Sequence, residues 1–200
     1  MHQHDVEHLE RYGIKYLYHM THIDNLGSIA KSGLTSHNLA HVRHHPRDIS
    51  DPDVQRRRRW RRDPINERAL HDYVALYFRA RNPMLSRRRA EQDTLAVLYI
   101  SNRVMFSPGT IFTDGNAAAT DTKFYDNIAE LNKLDWDCLQ AQYWNDFEDG
   151  ARKRCAEVLV PESIATELIE NIVVYSQHAH DVVQVAMPQV EIQVRPEWFF

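Results

Sequence analysis

Apolar and polar residues along this chain fall into short blocks whose period changes repeatedly. Residues 14–20 (IKYLYHM) read as a strand ending in His19. Thr21 then takes the N-cap position of a helix, with Asp24 three residues on as a capping-box acid. Ile23, Leu26 and Ile29 keep helical spacing, and Gly33 closes that helix at its C′ position. Residues 71–78 (HDYVALYF) alternate as a strand, with Tyr73, Ala75 and Tyr77 on one face and Val74, Leu76 and Phe78 on the other. Further strands are predicted at 94–101, 111–114, 157–160, 171–175 and 190–194. Helices are predicted over 124–134, from 135 onward, over 162–170 and over 176–186, and residues 82–85 read as a turn. Short strands dominate, with helices among them. The expectation is one α+β domain over residues 1–200, with a mixed or antiparallel central sheet and flanking helices.

Composition changes this picture in one place. Hydrophobic content is 43%, with six glycines, which suits an ordinary globular protein. No apolar run approaches the roughly 18 residues of a membrane span, and the polar N-terminus has no signal-peptide core. Two cysteines give neither a disulfide framework nor a metal spacing. The expected location is the reduced cytoplasm, with no membrane partner. Net charge is −4, yet fourteen arginines lie between Arg43 and Arg89. A basic middle inside an acidic chain reads either as a solvated face or as a site for a polyanion. Residues 35–69 hold most of these arginines, few apolar residues and three prolines. They read as a long irregular excursion with one short helix near 53–59.

The chain has no P-loop, GxGxxG, GxSxG or zinc spacing. His41, His44 and His45 are neighbours in a polar stretch that reads as a loop and not as a helix carrying a site, so no metal is expected. Cys155 reads as a small core residue. Glu157 is the conspicuous group, a carboxylate opening the apolar run Val158-Leu-Val160 that Pro161 stops. An ionised group there needs a partner or a task. Arg152 or Arg154 could pair with it at the strand edge. Alternatively, Glu157, a strand-ending His19, a tyrosine-bearing strand and an arginine loop together suit a cationic, oxocarbenium-like transition state on an anionic dinucleotide.

Four blocks then carry a resemblance: HMTHIDNL at 19–26, HDYVALYFRARNPML at 71–85, FTDGNAA at 112–118, and LDWDCLQAQYW leading to AEVLV at 134–160. Together, in order and over nearly the whole chain, they resemble the DarT family of bacterial DNA ADP-ribosyltransferase toxins. The resemblance implies transfer of ADP-ribose from NAD to a base in single-stranded DNA, countered by a macrodomain antitoxin that removes the mark. It implies that Glu157 is the catalytic glutamate, and that His19, Thr21, His22 and Asn25 lie in the nicotinamide and ribose region. Tyr73 and Tyr77 would wall that pocket. An essential arginine on the loop before the HDY strand would be Arg58, with Arg57 close behind because the arginine run leaves the register open. Residues 135–156 would recognise the strand through Tyr143, Trp144 and Phe147, with Arg152 and Arg154 guiding it. Two positions depart from the family: Ala75 replaces a proline, and Gly115-Asn116 replaces Ser-His near the expected DNA-binding face.

Two other readings remain open at this point. A related transferase could act on RNA or protein. A non-catalytic nucleic-acid-binding module would make Glu157 merely structural.

Overall fold

The computed structural model describes residues 3–200, with side chains from residue 7 onward. The chain runs α1 (Gln3–Arg11), β1 (Tyr16–His22), α2 (Leu26–Ser32), β2 (Leu34–Thr35), α3 (His37–Arg43), α4 (Pro52–Trp60) and β3 (Tyr73–Tyr77). It continues through α5 (Pro83–Arg87), β4 (Leu95–Ser101), β5 (Ile111–Thr113), β6 (Phe124–Tyr125), α6 (Trp136–Gln140) and α7 (Gly150–Arg154). The last third holds β7 (Glu157–Pro161), β8 (Ser163–Ile164), β9 (Ile169–Val174), α8 (Gln177–Ala186) and β10 (Glu191–Val194).

The main sheet has the order β10-β9-β4-β1-β3-β7-β5-β6, and β2 pairs separately with β8. β10 is parallel to β9 and the other neighbours are antiparallel, so the sheet is mixed and the fold α+β, as expected. β4 is buried along its whole length, and period-2 alternation divides it between two layers. Ala96, Leu98 and Ile100 pack with Leu26, Val158, Val160 and Val183 on one side. Leu95, Val97 and Tyr99 pack with Met20, Leu85 and Phe199 on the other. Each fully buried aliphatic side chain contributes about 1.5–3 kcal/mol relative to exposure, so this strand is a principal anchor of the sheet.

One irregularity positions the site. β1 and β3 are neighbours, but their only register pair among the described residues is Tyr18 with Tyr77. Beyond that pair the strands separate. The His19 ring bridges the opening, its Nδ1 donating to the Ala75 carbonyl at 3.0 Å. A side chain thus satisfies a carbonyl that a continuous ladder would have satisfied.

Several local expectations are corrected. β1 continues to His22, and it is His22, not Thr21, that caps the following 3-10 turn, its Nδ1 accepting from Asp24 N at 3.1 Å. Gly33 does end α2, with φ +74; a Cβ there would overlap the Ile164 carbonyl. Residues 82–85 open a helix rather than a turn, because Asn82 accepts from Met84 N and Leu85 N and Pro83 takes the first position. Phe124 and Tyr125 are drawn out of the predicted helix to pair with Thr113 and Phe112, leaving a 3-10 helix over Ile128–Lys133. Ser163 and Ile164 likewise pair with Thr35 and Leu34, so the helix expected over 162–170 shrinks to a 3-10 turn at Thr166–Leu168. In the basic excursion, α4 matches the expected short helix, whereas α3 is additional. α3 buries no apolar residue, so it lacks the stripe that announces a helix.

Candidate active site

Glu157 is the first residue of β7, paired across the sheet with Tyr77 of β3. Its backbone N–H donates to Thr113 Oγ1 at 3.0 Å. The Thr113 hydroxyl in turn donates to the Gly115 carbonyl at 2.7 Å, which fixes the loop after β5 against the start of β7. The Glu157 residue is 1% exposed, and three hydrogen bonds reach its carboxylate. Oε1 accepts from Ala117 N at 3.0 Å and from Arg58 Nη1 at 3.1 Å, while Oε2 accepts from Arg58 Nη1 at 2.8 Å.

α4 delivers that arginine. Asp51 caps the helix by accepting from Asp53 N and Val54 N, and Pro52 fills the first turn. Among the four consecutive arginines Arg56–Arg59, Arg58 is the buried one, at 7% exposure. The edge pairing with Arg152 or Arg154 that the sequence also allowed does not form. Arg152 bonds Asp114, Thr122 and Asp149 instead. Arg154 is buried and donates to the carbonyls of Arg81, Cys138, Leu139 and Ala141 at 2.7–3.0 Å. Its guanidinium is a clamp on residues 138–141, which corrects its assignment as a guide for an incoming strand.

Arg58 and Tyr77, two neighbours of the carboxylate, line a cleft of about 590 Å³, large enough for a cofactor-sized ligand, together with residues that include His19, Thr21, Asn25 and Arg57. Burial lowers the His19 pKa, partly offset by its Ala75 hydrogen bond. With Nδ1 donating to that carbonyl, neutral His19 keeps Nε2 as an acceptor. Thr21 Oγ1 accepts from Asn25 Nδ2 at 3.1 Å. The same amide grips the far wall: Asn25 Nδ2 donates to the Arg47 carbonyl at 2.9 Å, and Asn25 Oδ1 accepts from Arg47 N at 2.8 Å. Asn25 therefore ties the start of α2 to the loop before α4.

His22 departs from its expected place. It is 2% exposed, is spent on capping, and does not line the cleft. Tyr73 and Tyr77 share a face of β3 as expected, but their surroundings differ. Tyr73 is 2% exposed, and its hydroxyl donates to Asp63 Oδ2 at 2.9 Å; burial pushes it up to about 12. Tyr77 sits beside Glu157 with its hydroxyl on Met84 Sδ at 3.3 Å, and burial, then the Glu157 charge, raises its pKa well above the usual value. Cys155 is buried and pushed up to about 12 by burial, then by the same charge, which makes it an inert thiol.

The segment before Glu157 is divided. Tyr143 is 61% exposed. Trp144 is half-buried between the Arg154 guanidinium and the Phe200 ring. Phe147 is half-buried where the chain turns tightly; a Cβ on Gly150 would collide with the Trp144 carbonyl. Sequence reasoning missed the Ala117 amide and the Thr113 hydroxyl, since neither residue type announces a role. It also missed a cluster on the cleft wall, where His37 and His41 of α3 approach Asp48. Burial lowers the His37 pKa, with His41 adding to the effect.

Comparison with known proteins extends this geometry. Residues 18–200 match the family model described as "ssDNA thymidine ADP-ribosyltransferase, DarT". A structure of Thermus sp. 2.9 DarT in complex with ADP-ribosylated ssDNA superposes with a TM-score of 0.84 at 32% identity, covering 93% of this chain and 96% of that one. Another, of Thermus sp. 2.9 DarT in complex with NAD+, gives 0.81 at 30% identity, covering 94% and 98%. A Thermosipho africanus protein described as a DNA ADP-ribosyl transferase–DNA ADP-ribosyl glycohydrolase fusion is 30% identical over 90% of this chain and 48% of its own length.

Proposed function

The chain belongs to the DarT family and is an NAD-dependent DNA ADP-ribosyltransferase, and from that premise we propose that Glu157 is its catalytic carboxylate, acting on a base of single-stranded DNA. The observation that carries this reading is a buried carboxylate held by one backbone amide and by the Arg58 guanidinium, which itself lines a dinucleotide-sized cleft. A carboxylate so placed is preorganised for charge that develops in the transition state.

The bond from the nicotinamide-side ribose C1 to the nicotinamide ring nitrogen breaks, and its electron pair leaves with nicotinamide. The sugar carbon becomes oxocarbenium-like. The family description names thymidine, whose base has one ring N–H. That nitrogen bonds the sugar carbon as its proton passes to Glu157. The balance is NAD plus thymine giving ADP-ribosylated thymine, nicotinamide and one proton. Arg58 orients the carboxylate and takes up the negative charge of the base as it loses the proton. His19, Thr21 and Asn25 hold the nicotinamide side of the donor, Tyr77 walls it, and Arg57 on the cleft lining meets the pyrophosphate. Tyr143 stacks on the substrate strand, with Trp144, Phe147 and Arg152 shaping its platform.

The biological role we assign is that of a toxin in a toxin–antitoxin pair, acting in the cytoplasm where DNA is reached, with a macrodomain-type glycohydrolase as its antitoxin. The Thermosipho africanus relative supports this, since it joins a transferase to a glycohydrolase in one chain. The test is incubation with NAD and single-stranded DNA, duplex DNA or RNA oligonucleotides, read by mass spectrometry. One ADP-ribose added to thymidine-containing single strands is the expected product. An adduct on RNA or protein alone, or none while NAD binds, rejects the reading.

A further inference from the structure

Three side chains on the cleft wall converge without a part in the transfer reaction. His37 opens α3 and His41 follows one turn later, so both imidazoles leave the same face of the helix. The loop after α3 returns Asp48 to them, with His37 Nε2 3.9 Å from Asp48 Oδ2. One donor atom from each of the three lies within 4.8 Å of the other two.

Two further observations set this group apart from a chance cluster. His37 Nδ1 and His41 Nε2 are buried and have no hydrogen-bond partner, a condition that costs about 1–3 kcal/mol per group when nothing fills it. The cluster is also braced from behind. The His71 ring stacks on His37 at 3.9 Å between centroids, and His71 Nε2 is fixed on Gln55 Oε1 at 2.8 Å. Asp48 holds Oδ1 toward Ser50, accepting from its N–H at 2.8 Å and its hydroxyl at 2.5 Å, which leaves Oδ2 facing His37.

We infer that His37, His41 and Asp48 form a binding site for one divalent transition-metal ion of zinc's class. Two imidazoles and a carboxylate are the donor set of an open zinc site, with the fourth position left to water or an added ligand. Mixed nitrogen and oxygen donors favour zinc, nickel or copper(II) over magnesium or calcium. Zinc–ligand bonds of about 2.0–2.2 Å place tetrahedral neighbours roughly 3.3–3.5 Å apart. The donors therefore close by about an ångström on binding, which the exposed Asp48 and the half-buried histidines accomplish by rotamer adjustment. The bound ion links α3 to the loop that Asn25 already holds, stiffening one wall of the cleft. His44 and His45 lie outside the cluster, His44 being engaged with Ser32 Oγ at 3.0 Å, and they serve as controls.

Cobalt(II) is the probe, added to the chelator-stripped chain. One equivalent is expected to give visible d–d absorption of a low-coordinate site, to be displaced by one equivalent of zinc, and to raise the thermal midpoint. His41→Ala and Asp48→Asn should each abolish stoichiometric binding, while His44→Ala and His45→Ala should leave it intact. Asp48→Asn keeps the size of the side chain, so loss of the band there with an unchanged circular dichroism spectrum excludes misfolding as the cause. No band and no midpoint shift at one equivalent would overturn the inference, as would binding of several equivalents that none of these substitutions alters.

Discussion

Removing Arg58 tests the energetics on which the site rests. The Arg58 and Glu157 side chains are 9% and 1% exposed, and Arg58 Nη1 lies 2.8 Å from Glu157 Oε2. Arg58→Met keeps most of the side-chain volume but leaves the carboxylate buried with the Ala117 amide as its remaining donor among the described residues. Breaking one side of such a pair costs about 3–5 kcal/mol, because the surviving charge stays desolvated. For a chain of this length about 1 kcal/mol corresponds to roughly 2–4 °C, so the midpoint should fall by on the order of 10 °C. Urea unfolding gives the free energy directly, with an unchanged m-value as the check that the unfolded state is comparable. The double variant Arg58→Met/Glu157→Gln should recover most of the loss while remaining inactive, since an apolar or neutral replacement of both partners relieves the buried charge. A loss below about 1 kcal/mol in Arg58→Met, or no recovery in the double variant, refutes the claim that the pair is desolvated in solution.

Three other outcomes are expected. Burial, with the His37 and Arg58 charges adding to it, lowers His71 to about 4. The unfolded chain therefore binds the proton first as pH falls below the ordinary imidazole value, and the stability held above it declines between pH 6.5 and about 4; a pH series of thermal midpoints should show this, with a shallower decline in His71→Asn. Arg154→Ala removes a donor from each of four carbonyls, of which that of Leu139 keeps Arg79 Nε, so it should cost about 2–3 kcal/mol in urea unfolding; a stable variant defective only in DNA binding would restore Arg154 to the role of guide. Tyr143→Ala should weaken single-strand binding by about 1–3 kcal/mol in fluorescence anisotropy and leave thermal stability unchanged, and unaltered affinity would remove the tyrosine from the strand path.

The strands were legible as short runs of apolar, β-branched and aromatic residues, as in β3, β4 and β7. The helices assigned over 124–134 and 162–170 failed because Phe124–Tyr125 and Ser163–Ile164 find partners on distant strands, which local periodicity does not encode. α3 was hidden for the opposite reason: its histidines pack on each other and on His71 rather than on an apolar core. Without a visible helix, the i, i+4 relation of His37 and His41 carries no signal in the sequence. Around the carboxylate, Glu157 itself was conspicuous as a charge opening a buried strand, and an arginine partner was expected. That the partner comes from α4, 99 residues away, follows only from the fold. The Ala117 amide could not be read at all, because a backbone donor has no residue signature. Arg154 misled because an arginine can be buried when backbone carbonyls absorb its donors.

The central claim is that Glu157 performs the chemistry rather than merely closing an ion pair. Glu157→Gln preserves the shape of the side chain and an oxygen for the Ala117 amide and Arg58, but it cannot accept the proton of the base. Single-turnover transfer of ADP-ribose from NAD to a thymidine-containing single strand, followed by mass spectrometry, separates the two roles. The expected result is a rate reduced by about 10²–10⁴ with NAD affinity nearly unchanged, as for loss of a positioned proton acceptor. Transfer at a rate comparable to the unaltered chain would contradict it.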